Sequence, residues 1–155
     1  MTIYPVLFGY RDLIAGNGFV AFVKADGRAL LSEEDGGCWF YGVNPGGMAG
    51  GGKNREDAAR EFKKSYLSVL FDIAAEARTF ADFKAEVDAF FGEINRPTER
   101  EWSLAHQAVR RGDLTDLTLP RVKIEDRPTS ISVAMVHEAT AEPTTNQFDE
   151  LSAAA

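Results

Sequence analysis

Gly47-Met48-Ala49-Gly50-Gly51-Gly52-Lys53-Asn54 follows the spacing of a phosphate-binding loop, G-x-x-x-x-G-K-[ST], at every position but the last. In such a loop backbone N–H groups at a helix start hold phosphate oxygens, and the closing hydroxyl holds Mg²⁺. Asn54 has no hydroxyl. No later apolar strand ends in Asp to supply a second metal contact, since Val69-Leu70-Phe71-Asp72 falls inside a helical pattern. A wide glycine turn feeding a capped helix explains the same residues. Nucleotide or phosphate binding through the Gly-rich loop 46–54 therefore stands as the second reading, not the first.

Other reactive side chains are sparse. One cysteine, Cys38, excludes an internal disulfide, and His106 and His137 are isolated, so no zinc spacing and no Cys-His pairing is visible. His106 falls one position from an apolar helical stripe and is expected to be partly exposed. Ser65, Ser68 and Ser103 lack a nucleophile-elbow context. No catalytic residue, cofactor or metal ligand is assigned, and the chain reads as a binding protein rather than an enzyme. Lys53, Arg55, Arg60, Lys63 and Lys64 place five positive charges against three negative ones over residues 53–64. They are the candidate contacts for an anion or nucleic acid, although Phe62 among them belongs to the apolar helical stripe and no reading helix is recognisable.

Glycine and capping signals set out the elements that must carry these residues. Twelve of the 14 glycines lie in the first 52 residues, so that third reads as strands and turns. Ile3 to Phe8 is one strand; Phe19–Lys24 and Arg28–Glu33 flank Asp26-Gly27, a two-residue hairpin signal that would pair Val23 with Leu30. Cys38 to Val43 is a third strand, closed by Asn44-Pro45-Gly46-Gly47. A helix over 54–77 is expected from the Asn54 cap and from Ala58, Phe62, Tyr66, Leu70, Ile73 and Ala77 at spacings of three and four. A second helix starts at Thr79, and a third after Pro97 with Thr98 and Glu101 as its capping box. Leu119–Glu125 and Ser130–His137 alternate like a C-terminal strand pair. Trp39, Phe40, Phe62, Phe71, Phe80, Phe83, Phe90 and Trp102 are the expected aromatic core.

At 155 residues the chain suits one domain, placed at 1–137, followed by a disordered acidic tail over 138–155. The fold class is α+β: a small antiparallel sheet crossed by a long helix, with two further helices and a C-terminal β pair. A formal charge of -7 and a pI near 4.9 exclude a dedicated, strongly basic nucleic-acid binder. No stretch is apolar enough to span a membrane, and a cytoplasmic location is expected.

From Arg28 to about Leu70 the order of features resembles the HicB-like antitoxin family. Asp35-Gly36-Gly37 is the turn, Trp39, Tyr41 and Val43 alternate on an aromatic strand, and Pro45-Gly46-Gly47 closes it. Gly52-x-Asn54-x-x-Asp57-Ala58 then opens the helix. In place of the family's third strand stands the loose Met48–Gly51 stretch, and its C-terminal DNA-binding segment is not recognisable. The resemblance implies a sheet with a helix packed across it, a small toxin-like protein as partner, and self-association. Trp39, Tyr41 and Pro45 are the candidate partner-binding residues, with nucleic acid not favoured.

Overall fold

The computed structural model describes residues 1–115, 118–136 and 149–155. His137 and most of the expected tail, 138–148, lie outside the described residues. A long hairpin forms the centre: β1 (Thr2–Ala15) pairs antiparallel with β2 (Val20–Glu34) over their whole length, from Thr2↔Glu33 to Ala15↔Val20. β3 (Gly37–Asn44) pairs with the C-terminal half of β2, and β4 (Ala49–Gly52) pairs with β3. Helices α1 (Arg55–Glu76), α2 (Phe80–Gly92) and α3 (Arg96–Arg110) follow. β5 (Arg121–Val122), β6 (Ser130–Val136) and β7 (Glu150–Ala154) complete a mostly antiparallel seven-stranded sheet of order β4-β3-β2-β1-β7-β5, with β6 on the free half of β2. The class is α+β.

Alternation along the strands divides the core in two. One face carries Val6, Phe8, Tyr10, Leu31 and Phe40 against Phe62, Tyr66 and Leu70 of α1 and Phe83 and Val87 of α2. Phe62 meets Phe8 edge-on at 5.3 Å and Phe40 at 5.8 Å. The opposite face is smaller: Leu7, Leu30 and Val43 pack on Trp102 of α3 and on Ala154.

Several expectations are corrected. Asp26-Gly27 is no turn: β2 runs straight through it, and Val23 faces Asp12, not Leu30. Gly27 is glycine because a Cβ there would strike the Phe8 ring and the Asn44 carbonyl. The hairpin turn sits instead around Gly18, whose φ of 78° suits a residue without a side chain. Asn95 caps α3 by accepting from the Thr98 N–H at 3.2 Å, so Thr98 lies inside the helix and forms no capping box. Phe71 is 52% exposed, one step round α1 from buried Leu70. β5 and β6 do not pair with each other; β5 joins β7 and β6 joins β2.

The end of the expected tail is a strand within the sheet. Val6↔Ala153 to Gly9↔Glu150 pair β7 with β1, and Ser152, Ala153 and Ala154 are buried. Lys63 holds Asp149 at 2.9 Å and Arg127 holds Glu150 at 3.1 Å, so two of the acids that suggest a solvated tail anchor a strand instead. Among the described residues no helix is long and apolar enough to cross a membrane.

Candidate functional site

The glycine run that resembles a phosphate loop is mostly the edge strand β4, and packing explains its composition. A Cβ on Gly50 would collide with the backbone of Glu61 and Phe62, and one on Gly52 with Asp57 and Ala58. Both glycines let α1 lie directly on the strand. On the other face a Cβ on Gly51 would come within 2.6 Å of the Trp39 ring, so that ring covers the strand where a side chain would stand. The expected loose stretch over Met48–Gly51 is therefore replaced by ladder pairs Tyr41↔Ala49 to Cys38↔Gly52. Residues 49–52 present a strand edge rather than a cradle of convergent amides. Asn54 does cap α1, accepting from Asp57 N–H at 2.8 Å.

Trp39 and Tyr41 point away from the main core because β3 alternates, with Cys38 and Phe40 facing inward. They remain 43% and 37% exposed and stack at 6.2 Å with planes 15° apart. The outer edge of β4 next to them makes no hydrogen bond among the described residues. Two candidate partner-binding residues are thus brought together at an open sheet edge. The third is not. Pro45 is buried after a cis peptide bond to Asn44.

The five basic candidates do not form a surface. Arg55 is engaged by Glu33 through two hydrogen bonds of 2.8 Å, Arg60 pairs with Glu56 and Asp57, and Lys64 pairs with Glu61. Lys63 turns inward to Asp12 at 2.8 Å and lies 4.0 Å from the Tyr10 ring centroid. Of the five, Lys53 alone is exposed without an ion pair to a described residue. A patch whose charges are already neutralised gives phosphates little to displace.

Two polar clusters under α1 shift proton affinities in opposite directions. Its hydrogen bonds from Arg55 hold the Glu33 carboxyl below the usual range. Burial raises Asp12 despite its bond to Lys63, and burial also pushes the Tyr10 and Tyr66 phenols well up. The Tyr66 hydroxyl is buried without a hydrogen-bond partner among the described residues. Burial likewise raises the Cys38 thiol, which is the opposite of what a nucleophile needs. No group of His, Cys, Asp and Glu among the described residues is arranged to hold a metal.

Sequence reasoning missed two polar features of the second face. His106 is buried rather than partly exposed: its ring stacks on Trp102 at 5.3 Å and its Nε2 lies 3.1 Å from the Ala155 carbonyl oxygen. Arg127 lies across Gly9, donates to Asp26 and Ser152 at 3.2 Å each, and is 11% exposed. Gly9 was the available signal, since it interrupts an otherwise bulky strand where a guanidinium needs room. No protein-family model, no curated protein and no solved structure matches the chain.

Proposed function

We propose that this chain is a non-enzymatic HicB-like interaction protein that binds a small partner protein, a toxin-like one in the antitoxin version. The observation that carries this reading is the stacked, exposed Trp39–Tyr41 pair beside the open edge of β4. An edge strand offers unpaired backbone groups to an added strand, and aromatic anchors beside it supply contact area at low entropic cost. β4 bears only one methyl group, so its own side chains do not obstruct that addition. The order β2, Asp35-Gly36 turn, aromatic β3, Pro45, short β4, α1 further supports the family reading. In it α1 lies across the sheet, the protein acts in the cytoplasm, and the same edge serves for self-association.

Affinity capture from the native host tests this with tagged wild type and the Trp39→Ser/Tyr41→Ser double variant. Wild type should recover a small protein that the double variant loses while keeping its circular dichroism spectrum. Recovery of no protein partner, or equal recovery by both forms, overturns the reading.

A further inference from the structure

Between α3 and the segment after β5 lies a cavity of about 320 Å³, a size at the lower end of small-molecule sites. Leu7 and Trp102, both almost fully buried, form its floor, and Ile124 packs against them as part of the lining. Arg28 and Arg127 stand in its walls, with Glu125 and Thr129 at the mouth. It shares no residue with the Trp39–Tyr41 surface.

The two arginines are not equivalent. Arg127 donates through Nε to Asp26 and through Nη1 to Ser152, while its Nη2, 3.1 Å from Glu150 Oε2, is buried over Gly9 without a hydrogen bond among the described residues. Arg28 donates through Nε to Asn44 at 2.8 Å and through Nη2 to Glu99 at 2.9 Å, while its Nη1 has no hydrogen bond among the described residues. Its guanidinium sits 5.3 Å from the Trp102 ring centroid, which fixes it against the cavity floor. Of the two guanidinium nitrogens without a hydrogen bond, Arg127 Nη2 is buried and Arg28 Nη1 is not, so Arg28 Nη1 is the charge-assisted donor that remains for a ligand acceptor.

The surrounding charge narrows the ligand further. Counting Arg96, which also pairs with Glu99, three guanidiniums face Glu99, Asp26 and Glu150, and Glu125 adds an exposed carboxylate with no ion pair among the described residues. A phosphate would meet net negative surroundings. A carboxylate accompanied by its own ammonium group would not.

We propose that this cavity binds a free amino acid with a bulky apolar side chain. The side chain packs on Leu7, Trp102 and Ile124, the carboxylate accepts from Arg28 Nη1, and the ammonium faces Glu125.

NMR of the ¹⁵N-labelled full chain provides the test, because its two indole N–H signals are assigned by Trp39→Phe. L-Phenylalanine should move the Trp102 signal in a saturable way. Phenethylamine, which lacks the carboxylate, and 3-phenylpropanoate, which lacks the ammonium, should each bind about tenfold more weakly or worse. Glu125→Gln, an exposed change that leaves the fold alone, should weaken L-phenylalanine but not 3-phenylpropanoate. Arg28→Gln should weaken both. A Trp102 signal unmoved by L-phenylalanine at about 10 mM, ten times a millimolar Kd, overturns the proposal. So does an affinity indifferent to Glu125→Gln, or phenethylamine binding better than the amino acid.

Discussion

Under α1 and α2 the sheet is sealed by interlocking rings, Phe8, Tyr10, Phe40, Phe62 and Tyr66, with Gly50 and Gly52 bringing the helix backbone onto β4. On the other face α3 covers only part of the same strands. There Trp39 and Tyr41 stay partly exposed, and two arginines join Trp102 in the ground beside Leu7. One face has little left to give, since its rings are packed on one another beneath the helices. The other retains exposed aromatic area, a free strand edge and a partly polar cavity. Stability and recognition are thus assigned to opposite sides of one sheet.

Adjacent glycines of β4 offer the sharpest way to break that contrast. Gly50→Ala should cost about 3 kcal/mol, because the added methyl meets helix backbone that cannot move aside. Gly51→Ala directs its methyl at the Trp39 ring, which can rotate into solvent. It should cost about 1 kcal/mol at most, offset by the reduced chain entropy of alanine. Urea unfolding of both variants checks this; equal losses would mean that the two faces are equally rigid.

Within the sealed face, two carboxylates separate by pH. Glu33 has a lowered folded pKa, so its contribution is present above its ordinary value of 4.5 and is lost as pH falls through the folded value. Asp12 has a raised folded pKa, so its ionised form costs stability above that pKa, and the cost is relieved as pH falls toward 3.8. Relative to Glu33→Gln, wild type should lose stability on acidification below about pH 4.5. Relative to Asp12→Asn, it should gain over the neighbouring acid range. Urea midpoints from pH 7 to about pH 3.5 measure both differences, and slopes of the same sign would refute the assignment.

Legibility follows the same division between local and distant causes. α1 and α2 can be read because Asn54 and Thr79 cap them in place and their apolar spacings repeat every turn. Alternation along β3 puts Trp39 and Tyr41 on one side, but the expectation of Trp39 in the aromatic core fails, since α3 does not reach that far and the ring is 43% exposed. Gly27 and Gly50 mislead, since each looks like punctuation yet is small to admit Phe8 or the α1 backbone. β7 misleads for a related reason. Its Glu, Ser and Ala residues resemble a solvated tail until β1, Lys63 and Arg127 receive them from far away in the chain. The cavity at Arg28 draws on β1, β2, α3 and the segment after β5, and no window of sequence contains that convergence.

The smallest expected effect bears most directly on function. Trp39→Ser removes a large ring, yet the ring is 43% exposed and packs mainly on Gly51 and Tyr41. Aromatic pairs contribute about 0.5–1.5 kcal/mol beyond burial when well packed, and surface substitutions usually stay within about 0.5 kcal/mol. The variant should therefore unfold within about 1 kcal/mol of wild type, far closer than Gly50→Ala. Chemical denaturation followed by far-ultraviolet circular dichroism decides the matter. A loss as large as that of Gly50→Ala would make the Trp39 ring a structural clamp over β4, and Trp39 and Tyr41 would then be holding the edge closed. A small loss leaves their exposure without a folding role, as an anchor kept for a partner requires.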